Sequence, residues 1–144
     1  MSYSLSRAER QQFLAAPHVG VLSIVDNDRP LSVPVWYGYQ PGGTVTVITG
    51  QESRKVRIIR AVGWLSLCAQ DETWPYKYVT AAGPATITGP ATTADQHAMA
   101  TRYLGEAGAE RYMAMATTSG ETDGQVLIAM TPEHWLTADY SKPS

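Results

Sequence analysis

The chain has 144 residues, 44% of them hydrophobic and 17% charged, with a formal charge of −2. That is apolar mass for one domain spanning residues 1–144, and it excludes a broadly basic nucleic-acid surface. The longest apolar runs, such as residues 20–25, fall far short of the roughly 20 residues that a membrane-spanning helix needs. The first seven residues contain no apolar leader core. The single cysteine, Cys68, cannot form an internal disulfide. A cytoplasmic protein with a buried, inert thiol is the expectation.

Ser6-Arg7-Ala8-Glu9 is a capping box, so a helix is expected from there to about Ala16, where Pro17 stops it. Residues 19–25 are β-rich, and Asp26-Asn27-Asp28 signals a turn. Residues 31–39 read as a second strand, with Pro34 arguing for an edge or a bulge. Pro41-Gly42-Gly43 makes the next turn, and residues 44–49 form a third strand, giving a three-stranded antiparallel meander. Gly50 ends it. Residues 53–62 have helical periodicity, with Val56, Ile59 and Val62 on one face. A fourth strand is expected over residues 64–70 and a long fifth over 76–88, bent or bulged at Gly83-Pro84. Helices follow over 93–104 and 109–116, then a polar loop, and residues 125–130 are the last clear strand before a polar tail. Six antiparallel strands with short flanking helices describe an α+β fold on a closed or nearly closed β-barrel.

Four of the eleven cationic residues are Arg54, Lys55, Arg57 and Arg60. Arg54 and Lys55 fall in the first turn of a helix that Ser53 caps, where the helix dipole opposes them at a cost of about 0.3–1 kcal/mol each. Free N–H groups and the Ser53 hydroxyl point the same way. A bound anion would reverse the sign of all these terms, and helix N-termini suit phosphates. Arg54 has the fork for two phosphate oxygens, while Lys55 is a point charge. Arg57 and Arg60 read as an ordinary solvated face.

The order of strand, Thr49-Gly50, Ser53-Arg54-Lys55, apolar helix and strand resembles the pyridoxamine-phosphate-oxidase-like split barrels. That resemblance implies a six-stranded antiparallel split barrel in which Ser53, Arg54 and Lys55 bind a cofactor phosphate, with Thr49 beside it. It implies that Val33, Pro34, Val35 and Trp36 line a flavin-type ring. Lys77 and Tyr78, followed by Gly83-Pro84-Ala85, would contact a cofactor of the neighbouring subunit in a homodimer with interfacial sites. Phe13-Leu14-Ala15, Val33-Pro34-Val35-Trp36-Tyr37 and Asp71-Glu72-Thr73-Trp74-Pro75-Tyr76 resemble the flavin/deazaflavin oxidoreductase branch. There the cofactor is coenzyme F-420 or FMN, and F-420 is favoured here. Residues 133–140 lack the basic substrate-binding end of true pyridoxamine-phosphate oxidases, so that activity is disfavoured.

Several of these residues also have a plain structural explanation: Thr49, Val33, Pro34 and Val35 as strand residues, the Tyr76/Tyr78 pair as packing, and Lys77 as a solvated cation. Trp36 and Tyr37 lie on opposite faces of their strand, so one of them is expected to face the ring. Trp135 is a further candidate to cap the ring. No catalytic side chain is singled out. His18, His97 and His134 lack ligand spacing, so no metal is expected. No hydrolase elbow, Walker loop or dinucleotide fingerprint occurs. The expected function is hydride transfer by a flavin or deazaflavin oxidoreductase acting on a small conjugated substrate. The alternative is a non-catalytic cofactor carrier.

Overall fold

A computed structural model describes residues 2–143. Helix α1 (Arg7–Ala15) starts at the expected capping box. Ser6 N–H donates to Glu9 Oε1 at 2.8 Å, and Glu9 N–H donates to Ser6 Oγ at 3.2 Å. Ala16 is already extended, as a residue before proline should be. Strands β1 (Gly20–Asp26) and β2 (Arg29–Val35) form a hairpin in which Asp26 faces Arg29. β2 sits at the end of the strand order, so Pro34 is on an edge strand, where its missing N–H costs little.

β2 ends four residues earlier than expected, because the chain turns into the interior. The Tyr37 ring is fully buried, its N–H donates to Tyr103 Oη at 3.0 Å, and its hydroxyl donates to the Leu14 carbonyl at 2.7 Å. The expected meander is therefore corrected. β3 (Val45–Gly50) does not pair with β2 but runs antiparallel to β6 (Gln125–Met130). One isolated bridge, Gly38 to Thr46, joins the two ends of the curled sheet.

Helix α2 (Arg54–Val62) ends at Gly63, whose φ of 69° is the left-handed conformation that glycine adopts freely. It buries Val56, Ile58 and Ile59 and leaves Val62 exposed. β4 (Trp64–Asp71) pairs with β1 on one side and with the 14-residue β5 (Lys77–Pro90) on the other. On its far side β5 pairs first with β7 (His134–Asp139) and then with β6. Its register breaks between Ile87 and Gly89, beyond the expected Gly83-Pro84. Gly83 instead permits a close approach: a Cβ there would lie 1.7 Å from the Thr131 carbonyl oxygen.

Six strands follow the order β2-β1-β4-β5-β6-β3, and β7 is an addition on β5 within residues 132–140, which read in sequence only as the lead into a polar tail. This is the α+β split barrel expected. The stretch α3 (Thr93–Ser119) is broken at Gly105, whose φ of 74° and ψ of 174° are not helical, so two helical segments follow one another there as expected, the second running on to Ser119. Leu22, Leu67, Val79, Ile128 and Met130 fill the barrel, and Leu14 of α1 and Val56 and Ile59 of α2 close over it.

Candidate functional site

The N-terminus of α2 is built by its own sequence. Ser53 is extended (φ −65°, ψ 154°), and its Oγ accepts from the Val56 N–H at 3.3 Å. Thr49, one residue before the end of β3, donates from Oγ1 to Ser53 Oγ at 3.5 Å. The N–H groups of Arg54 and Lys55 have no backbone partner among the described residues, as at the start of any helix. Lys55 is half-buried and makes no ion pair there. Arg54 is engaged: its Nε donates to Asp26 Oδ2 at 3.2 Å, and its Nη2 donates to the same oxygen. Thr49, Ser53, Arg54 and Lys55 thus lie together at the start of α2, and Asp26, hidden in the sequence as an ordinary turn residue, joins them.

Val33, Pro34 and Val35 lie opposite Leu22, Val21 and Gly20 on β1. They are therefore four to six residues from the Asp26 end, about 13–20 Å at about 3.3 Å per residue. Val33 and Val35 pack against the core, while Pro34 is exposed on the outer face. Trp36 stacks on Tyr103 of α3 with centroids 5.0 Å apart and planes at 8°, and tilts against Tyr112 at 5.4 Å. The outer face carries a cross-strand row of Pro34, Val21, Cys68, Thr80 and Leu136. Cys68 is only half-buried in that row, which corrects the expected interior thiol; strand alternation sends it outward between buried Leu67 and Ala69.

A cleft of about 620 Å³ opens on this face, lined by Pro34, Val19, Val21, Cys68 and His18 among others. His18 stacks on Phe13 with centroids 4.3 Å apart, and burial pushes its pKa down. Sequence spacing gave no reason to single out His18. Tyr103 and Arg102 were equally hidden. Tyr103 Oη donates to the His18 carbonyl at 2.6 Å, and Arg102 donates to the Ala15 and Ala16 carbonyls at 2.7 and 3.1 Å, closing the C-terminus of α1.

Lys77 and Tyr78 stand elsewhere. Lys77 Nζ is 3.6 Å from Asp139, and Tyr78 lines a separate cleft of about 430 Å³ with Tyr76 and Tyr140. Asp71, the cross-strand partner of Lys77, is six residue steps along β1 and two along β4 from Asp26, or about 26 Å. One chain therefore does not bring Lys77 and Tyr78 to the α2 terminus. Trp135 is also remote from it, packed between Tyr39 and Arg10 at the other end of the barrel. Among the described residues, no three His, Cys, Asp or Glu side chains gather as a metal site. No helix there is long and apolar enough to cross a membrane.

Residues 6–139 match the family described as pyridoxamine 5'-phosphate oxidase. No curated protein matches the sequence. Among solved structures, a conserved hypothetical protein of Mycobacterium tuberculosis superposes with a TM-score of 0.76 at 20% identity, over 99% of this chain and 92% of that one. A protein named F420 reductase gives 0.70 at 21% identity, over 88% and 94%. An FAD-binding protein of Mesorhizobium loti gives 0.63 at 20% identity, over 92% of each chain.

Proposed function

The chain belongs to the pyridoxamine 5'-phosphate oxidase family, and from that membership we propose that it is an oxidoreductase that transfers a hydride to or from a small conjugated substrate through a flavin-type cofactor. The observation that carries this reading is Lys55, half-buried and without an ion pair among the described residues, beside the open N–H groups at the start of α2. These donors fit a phosphate monoester. Arg54 adds a second cation, which a phosphate would share with or take from Asp26.

The cofactor, when bound, supplies the hydride-transferring ring. The chain's residues bind, orient and shield it. Thr49 and Ser53 fix the α2 terminus, while the edge strand β2 runs away from it and has backbone groups free for the polar rim of a ring. Val21 and Pro34 supply an apolar surface beside that edge. The distance along β2 suits an elongated ligand with its phosphate at α2.

Coenzyme F-420 is favoured over FMN, in keeping with a structural relative named F420 reductase. The relative named FAD-binding keeps true flavins as the competing choice. We assign the outer face of the sheet to a homodimer interface, through which Lys77 and Tyr78 would reach the cofactor held mainly by the other copy. Leu136 at 63% exposure and Val19 at 56% support that assignment. Residues 133–140 supply no arginine for a second phosphate, so pyridoxamine-phosphate oxidation itself is not proposed.

The test is the absorbance spectrum of the purified protein, followed by titration with F-420 and with FMN and assay on enones and quinones. Saturable binding of one cofactor with turnover is expected. Failure of both to bind overturns the reading. Tight binding without turnover of any substrate favours a carrier.

A further inference from the structure

The end of the barrel remote from the N-terminus of α2 carries a second cleft, of about 390 Å³, within the usual range for small-molecule sites. Arg7, Arg10 and Gln11 of α1 form one wall, and Tyr39, Thr44 and Trp135 face them. Arg7, Arg10 and Gln11 share a helix face at spacings of three and four, so both cations point the same way. The Arg10 guanidinium stacks over the Trp135 ring at 4.4 Å. The guanidinium N–H groups donate no side-chain hydrogen bond among the described residues, so this contact with the ring leaves them unspent. The Arg10 Nε is closed to solvent and has no hydrogen-bond partner among the described residues.

A cationic donor without an acceptor is costly, and the two Nη groups of Arg10, unlike Nε, are open to an acceptor in the cleft. The carboxylate that could neutralise the N-terminal turn of α1, Glu9, is committed to Lys142 Nζ at 2.7 Å and to the Ser6 N–H. Among the described residues, Glu133 is the one acidic residue lining the cleft, so two cations face one carboxylate there. Neither arginine forms an ion pair with it.

We propose that this cleft binds a small molecule through an oxyanion, either a carboxylate or a phosphate, taken in the plane of the Arg10 guanidinium and flanked by Arg7. The ligand's body lies against Trp135 and Tyr39, whose rings meet edge to face with centroids 6.5 Å apart. The site is separate from the α2 terminus. Thr44 borders the start of β3 and Thr49 lies near its end, five residues or about 16 Å away. It therefore does not depend on the cofactor reading.

The test is an NMR titration of the arginine Nε–H signals, with the Arg10 signal identified by its disappearance in Arg10→Lys. Inorganic phosphate and succinate are added separately at constant ionic strength, with chloride as the reference. A saturable shift of the Arg10 signal with one or both oxyanions is expected, and which of them gives it distinguishes phosphate from carboxylate. Arg7→Gln, at an exposed position that should not disturb folding, should weaken the midpoint roughly tenfold, as loss of a charged donor implies. Lys55→Ala should leave the midpoint unchanged. A shift no larger than with chloride for both anions overturns the proposal. So does a midpoint unaffected by Arg7→Gln, or one lost in Lys55→Ala.

Discussion

Arg54 donates from Nε, at 3.2 Å, and from Nη2 to a single carboxylate oxygen of Asp26. The pair ties the end of β1 to the start of α2 and sets a carboxylate against one of the two cations proposed to hold a phosphate. Asp26→Asn removes that competing charge and keeps the side chain's shape. Affinity for FMN or F-420 is expected to rise about two- to fivefold, since an exposed ion pair is worth about 0.2–1 kcal/mol. Titration of both proteins measures it. A fall in affinity would mean that Asp26 orients Arg54 rather than competing with the phosphate.

Lys55 has no such partner among the described residues, so its charge is available in full. Lys55→Ala should cost about 1.5–3 kcal/mol of cofactor binding, the value of a hydrogen bond to a charged group. Arg60→Ala, exposed in the last turn of the same helix, should leave binding nearly unchanged. Equal effects from the two would mean that the helix attracts anions only by its overall charge.

Leu136 closes the outer row of Pro34, Val21, Cys68 and Thr80. Leu136→Glu places a charge on that face without touching the barrel interior. In a dimer built on this face, dissociation should strengthen by about 2 kcal/mol, roughly thirtyfold in Kd. Light scattering across a dilution series reads it, with circular dichroism as the folding control. An unchanged association state would remove this face from the interface.

Gly83 faces the backbone of Thr131 with no room for a methyl group, a Cβ there falling 1.7 Å from the carbonyl oxygen. Gly83→Ala must push the β6–β7 connection away from β5. Overpacking of this kind costs about 1–3 kcal/mol, and the upper end is expected because backbone cannot swing aside as a side chain can. The urea midpoint is the measurement.

Glu9 is held at a pKa of about 2, against an ordinary 4.5, first by the Lys142 ammonium and then by Ser6. The group is lowered on folding, so its contribution is complete above about 4.5 and fades as the pH falls through about 2. Urea midpoints measured between those limits should decline on acidification, and Glu9→Gln should flatten part of the decline. Because Glu9 lies at the surface, 0.5 M salt should weaken the effect.

Local chemistry is what the sequence determined by itself. The Ser6–Glu9 capping box, the Ser53 cap with Arg54 and Lys55 behind it, and Pro34 on an edge strand all depend on residues within one turn or one strand of each other. Periodicity was sufficient for six of the strands and for the barrel class. Other features needed distant segments to meet. β3 pairs with β6 because Tyr37 turns inward to Leu14 and Tyr103, contacts 23 and 66 residues away. Residues 134–139 become a strand only because β5 is long enough to offer them a free side beside β4. Asp26 reads as a turn residue until folding sets it against Arg54, 28 residues on. Strand length likewise put Asp71, across from Lys77, about 26 Å from Asp26 beside the α2 terminus. The α2 terminus was legible because a helix dipole and two adjacent cations act locally. Its counter-charge, and the distance to the rest of the candidate site, were decided by packing across the barrel.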